Sequence, residues 1–132
     1  MAAVDDAMPS AVEDFSYPGA DRISEERGIK LKSGDGKLLF VDCSVGYDVL
    51  VESRVDRAGY CFKATGKQGF LTMELPGAYH IWTEGHPVRA KLTAEGETIT
   101  VDVPKNGFKP VGESDSNTGR KPSVLVELRI TG

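Results

Sequence analysis

The chain has 132 residues, 39% of them hydrophobic and 27% charged, with a net charge of −4. That is one domain's worth of core in an ordinary globular composition, and no apolar run approaches the ~18 residues of a membrane-spanning helix. Residues 1–27 carry seven acids against two bases, and residues 28–132 carry 13 acids against 14 bases. The body of the chain is therefore near neutral and has no basic stripe, so no nucleic acid is expected among its partners.

Residues 1–20 lack apolar periodicity and contain Pro9, Pro18 and Gly19. They read as an N-terminal tail, with the domain proper over residues 21–132. Phe15 and Tyr17 are the aromatics of this tail and its candidates for docking. Met1 is followed by Ala2, Ala3, Val4, Asp5 and Asp6, which is neither the basic nor the apolar region of a signal peptide. An alanine-led, acidic start suits the mature end of an exported protein. The expectation is a secreted, extracellular chain after signal-peptide removal, with a cytosolic protein as the alternative. The one predicted helix covers residues 20–27, with Asp21 as its cap and Gly28 as its stop.

From Ile29 the apolar pattern changes to a period of two. Strands are expected at 29–32, 37–41, 48–52, 60–65, 70–75, 79–83 with its continuation 88–93, 97–103, 108–112 and 124–130. The glycines around Asp35 predict a tight hairpin between the first two. Val49 and Val51 share one face, as do Leu71, Met73 and Leu75. Ile99, Val101 and Val103 are expected to face inward, and Val124, Val126, Leu128 and Ile130 to alternate with Leu125, Glu127 and Arg129. Residues 54–59 read as a polar turn and 113–122 as a long polar loop. Eight or nine strands at roughly ten-residue spacing predict an all-β fold, a two-sheet antiparallel Ig-like β-sandwich with a short N-terminal helix and extended tail.

Residues 37–65 hold both cysteines, Cys43 and Cys61, and a disulfide between them is expected. Tyr60, Phe62 and Ala64 look inward, which puts Cys61 on the face of Lys63 and the bridge at an edge or on the outer face. Closing such a loop contributes about 3 kcal/mol. The alternative is a pair of free, buried thiols.

The residues 79–86 hold both histidines, His80 and His86, the only tryptophan, Trp82, and Tyr79. In an extended strand His80, Trp82, Glu84 and His86 share a face, but the histidines stand about 20 Å apart at ~3.3 Å per residue. A metal site of His80, Glu84 and His86 is therefore not expected, and neither is any cofactor. The pattern points instead to Tyr79, Trp82, His80 and His86 as a binding patch for a protein or glycan. No serine lies in a Gly-x-Ser-x-Gly elbow. Residues 59–67 lack the glycine and hydroxyl residue of a phosphate loop, and 33–37 lack calcium ligands.

Residues 13–23 (EDFSYPGADRI), 27–37 (RGIKLKSGDGK), 65–76 (TGKQGFLTMELP) and the closing VLVELRI resemble small exported proteins of actinobacteria without an assigned function. The resemblance implies secretion and carries over no functional residue. The resulting expectation is a secreted, non-enzymatic binding or protein-interaction module. The alternative is a secreted protease inhibitor presenting residues 54–59 or 113–122 as an exposed loop.

Overall fold

The computed structural model describes residues 16–132. In chain order its elements are α1 (Ala20–Arg27), β1 (Lys30–Gly34), β2 (Leu38–Val41), a 3-10 turn at Cys43–Val45, β3 (Val49–Ser53), β4 (Asp56–Ala64), β5 (Gly69–Pro76), β6 (Ala78–Thr83), β7 (Val88–Ala94), β8 (Glu97–Val103), β9 (Phe108–Pro110), 3-10 turns at Gly112–Ser114 and Ser116–Thr118, and β10 (Val124–Ile130). The strands form two five-stranded sheets, β9-β6-β3-β4-β2 (sheet A) and β1-β5-β10-β7-β8 (sheet B). Every pairing is antiparallel. The all-β, two-sheet sandwich with one short helix is thus the architecture the sequence predicts.

Alternation builds the core. Val49, Val51, Tyr60, Phe62 and Ile81 face inward from sheet A, and Leu71, Met73, Leu75, Ala90, Leu92 and Leu128 from sheet B. One face of each sheet is thereby removed from water, which is the main force holding two such layers together.

Several local expectations are corrected. Residues 33–36 do not close a hairpin. β1 pairs with β5 and β2 with β4, so the chain crosses from one sheet to the other. The crossing lets Leu31 and Leu38 enter the same core from opposite layers. The Asp35 carboxylate pins it by accepting from the N–H groups of Lys37, at 3.0 Å, and Phe70, at 3.2 Å. In β10 the buried residues are Leu125, Leu128 and Ile130. A bulge between Leu125 and Glu127 shifts the register against both neighbouring strands and reverses the phase of the strand there. On β8 only Val103 is buried, and Ile99 is 36% exposed. β8 is the outermost strand of sheet B, and the core beneath it runs out before Ile99.

α1 is capped by Gly19 with no side-chain bond, while Asp21 sits in the first turn, where its charge complements the helix N-terminus. Gly28, at φ 75°, ends the helix as expected and donates its N–H to Ser24 O. Ala20 and Ile23 pack on the core. At the last turn Arg27 donates to Gly59 O at 2.7 Å and to Asp56 Oδ2 at 3.2 Å. Its guanidinium lies 5.0 Å from the Tyr60 ring and 5.4 Å from Phe40, and the Tyr60 hydroxyl donates back to Arg27 O. These contacts fasten a helix too short to stand alone.

Residues 16 and 17 are attached to the sheets. Ser16 bridges to Ser33. The Tyr17 N–H donates to Lys32 O at 2.9 Å, and the Tyr17 hydroxyl accepts from the Phe40 N–H at 2.9 Å. Tyr17 is therefore docked, while Phe15 lies outside the described residues.

The outer face of sheet A

Cys43 and Cys61 are joined, with their Cα atoms 5.2 Å apart. Cys61 is on the outer face of β4, between inward Tyr60 and Phe62, yet only 1% exposed. The 3-10 turn that carries Cys43 folds over it; the Asp42 side chain caps that turn by accepting from the Ser44 N–H. The bridge lies within one layer, on its outer side, so it locks β4 to the β2–β3 connection and adds no cross-link between the two sheets.

Strand register extends this point into a row. Cys61 is opposite Val41 on one side and Leu50 on the other. Leu50 is opposite Trp82, and Trp82 is opposite Phe108. Phe108, Trp82, Leu50, Cys61 and Val41 thus form one apolar row across all five strands of sheet A. Trp82 and Phe108 are each 37% exposed, and their ring centroids are 4.3 Å apart. Leu39 and Val45 continue the exposed apolar surface at the far end.

The polar atoms beside the row are organised. Glu52 Oε1 accepts from Trp82 Nε1 at 2.8 Å and lies 3.1 Å from His80 Nδ1. One carboxylate oxygen thereby fixes the orientation of both rings. The His80 ring also meets Phe108 edge-on, with centroids 5.0 Å apart. A strict period of two would send Tyr79 to the opposite face. The register shift between Glu52 and Ser53, opposite His80 and Ala78, makes Tyr79 an extra residue on β6. Its ring turns outward and stands 4.7 Å from His80. Beyond it, Arg54 lies 6.0 Å from the Tyr79 ring and pairs with Glu113. Hydrogen bonding and charge from Glu113 push the Arg54 pKa up, so the guanidinium is a fixed positive charge at the margin.

Of the predicted patch, the structure brings Tyr79, His80 and Trp82 together. His86 is elsewhere: the chain turns at Gly85 (φ 81°) and passes to sheet B, where His86 Nδ1 is 2.8 Å from Gly132 O. Among the described residues, no group of three or more His, Cys, Asp or Glu is placed to hold a metal ion. Among them, too, neither histidine is hydrogen-bonded to a hydroxyl or thiol. The two loops considered for an inhibitor are built differently from the expectation. Only Arg54 and Val55 form the β3–β4 turn, and Asp56 already begins β4. Residues 113–122 contain two helical turns, with Glu113 held by Arg54 and the second turn capped by Asp115.

Sequence reasoning missed Phe108 and Glu52. The Asn106-Gly107 turn signal announced a strand near Phe108, but only the sheet order places it beside Trp82. No family model matches the chain, and a search of curated proteins finds no similar one.

Proposed function

We propose that the protein is a secreted, non-enzymatic binding module that presents the outer face of sheet A to a protein partner. The observation that carries this reading is the in-register row Phe108–Trp82–Leu50–Cys61–Val41, with its two half-exposed rings in tilted contact at one end. Rigid aromatics surrounded by arginine and carboxylate margins have the composition of interface centres. The aliphatic continuation through Leu50, Val41 and Leu39 favours a protein over a glycan, because a sugar ring stacks on aromatic planes and gains little from aliphatic side chains. Trp82 and His80 are already oriented by Glu52, so little side-chain freedom is left to lose on binding. Export fits the disulfide, which persists in oxidising compartments. No described helix is long and apolar enough to cross a membrane.

The test is capture from the native extracellular fluid on immobilised protein, with Trp82→Ala and Phe108→Ala as comparisons. Each substitution should weaken capture about 30-fold or more, the effect of losing an interface anchor worth about 2 kcal/mol, with thermal stability largely kept. Capture that survives both substitutions would refute the assignment of this face. Binding only to polysaccharide, lost in the same variants, would replace the protein partner by a glycan.

A further inference from the structure

Four strands are sheet edges, and three of them are blunted. β9 has three residues and ends on Pro110. On β2 the outward Phe40 N–H is taken by the Tyr17 hydroxyl. β1 carries Lys30 and Lys32, is interrupted by a bulge between Leu31 and Ser33, and is flanked by the Ser16–Tyr17 segment. Lysine, proline, bulges and covering segments are the usual means of preventing edge-to-edge pairing. β8 has none of them. It runs seven residues, ETITVDV, without lysine or proline, in unbroken register with β7.

The β7–β8 turn determines which groups are free. Glu95 at φ 52° and Gly96 at φ 83° make a two-residue connection closed by Ala94 and Glu97. Alternation from that closing pair turns the backbone of Ile99, Val101 and Val103 towards β7, and that of Thr98, Thr100 and Asp102 outward. Among the described residues no backbone group bonds to these outward positions.

We propose that the chain forms a two-fold symmetric dimer in which β8 pairs antiparallel with β8 of a second copy, centred on Thr100. In this register Thr100 lies opposite its symmetry mate, and Thr98 lies opposite Asp102 of the other copy. Each such pair exchanges both N–H···O bonds. Ile99 lies across from Val101, which covers the exposed Ile99 side chain, and Glu97 lies across from Val103. No acid opposes an acid. Centring on Asp102 would set two carboxylates against each other, and centring on Thr98 would leave much of the strand unpaired. The Thr100 register alone uses the whole strand without like charges, so the segment is complementary to itself. That self-complementarity identifies a second copy, in an isologous contact, as the occupant. The two copies of sheet B become one continuous sheet, and the outer faces of both copies of sheet A stay free.

Sedimentation equilibrium on the intact chain should show a reversible monomer–dimer equilibrium. Thr100→Pro removes an N–H that the monomer does not use, so it should keep the fold and raise the dimer dissociation constant about tenfold or more. Thr100→Cys should cross-link two chains on mild oxidation, because paired Cα atoms in this register are within disulfide range. Thr98→Cys, whose symmetry mates are far apart, should not. A chain monomeric up to its solubility limit overturns the proposal. So does a dimer that persists in Thr100→Pro or is abolished by Trp82→Ala. Equal cross-linking of Thr98→Cys and Thr100→Cys also overturns it, and so does pairing of β8 with an unrelated extended peptide in preference to a second copy.

Discussion

Reduction of the Cys43–Cys61 bridge provides a quantitative test of how the fold is held together. The bridge closes a loop of sequence separation 18, and releasing it returns about 3 kcal/mol of chain entropy to the unfolded state. For a domain of this size each kcal/mol moves the melting temperature by ~4 °C, so reduction should lower it by about 12 °C. Loss of structure should not follow, because the sulfurs lie on the outer side of sheet A while Tyr60 and Phe62 keep the core filled. Calorimetry with and without reductant, with near-ultraviolet circular dichroism on the reduced protein at 25 °C, measures both effects. Intact mass after alkylation of the unreduced, denatured protein should show no free thiol. Stoichiometric alkylation, a shift under ~3 °C, or loss of the near-ultraviolet signal would each refute the reasoning.

Four further outcomes are expected. Tyr17→Phe leaves the half-buried Phe40 N–H without its acceptor and should cost about 1–2 kcal/mol; deletion of residues 1–12 should leave the melting temperature unchanged, and deletion through residue 17 should lower it. Trp82→Ala should cost about 1.5 kcal/mol or less, against the ~3–5 of a core tryptophan, and the native emission should be red-shifted and open to quenchers. In acid, Asp56 is held below its ordinary value of 3.8 by the Ala58 N–H and then Arg27, Asp42 by Ser44, and Glu74, ordinarily 4.5, by Lys32. These depressed values contribute stability that is present above about pH 4.5 and lost as pH falls through the lower folded values, so urea midpoints should decline as pH falls below about 4. In base, burial raises the Tyr60 hydroxyl above 10.0; its contribution is complete below pH 10 and lost as pH rises through the folded value, and Tyr60→Phe should flatten that decline.

The parts of the fold legible in the sequence are those where a strand keeps its period. Val49 and Val51, or Leu71, Met73 and Leu75, announce one buried face because nothing interrupts the pleat. The inward phase of Leu125 is not legible for one reason: it adjoins a bulge, and an extra residue reverses the alternation without leaving a composition signal. The crossing at residues 33–36 escaped because glycine-rich turns favour a hairpin locally, whereas the partner strand is chosen by burial far along the chain. Ile99 reads as a core residue because period alone cannot show that its strand lies at an edge. The candidate site was half legible. The clustering of Tyr79, His80 and Trp82 is local, but Phe108 and Glu52 join them only through strand order.

The attachment of Tyr17 has a kinetic consequence. Its backbone N–H bonds to β1 in one layer and its hydroxyl accepts from β2 in the other, so a single residue spans both layers at the edge where the chain crosses between them. The Phe40 amide has no strand partner on that side. Its exchange with solvent deuterium therefore requires the Tyr17 segment to lift, not β2 to separate from β4. Exchange at Phe40 then reports detachment of the N-terminal segment, while exchange at the Val41 and Leu39 amides, which face β4, reports opening of the sheet. Local fluctuations expose the first at a lower free energy than the second, and the difference between them measures how tightly this clasp binds.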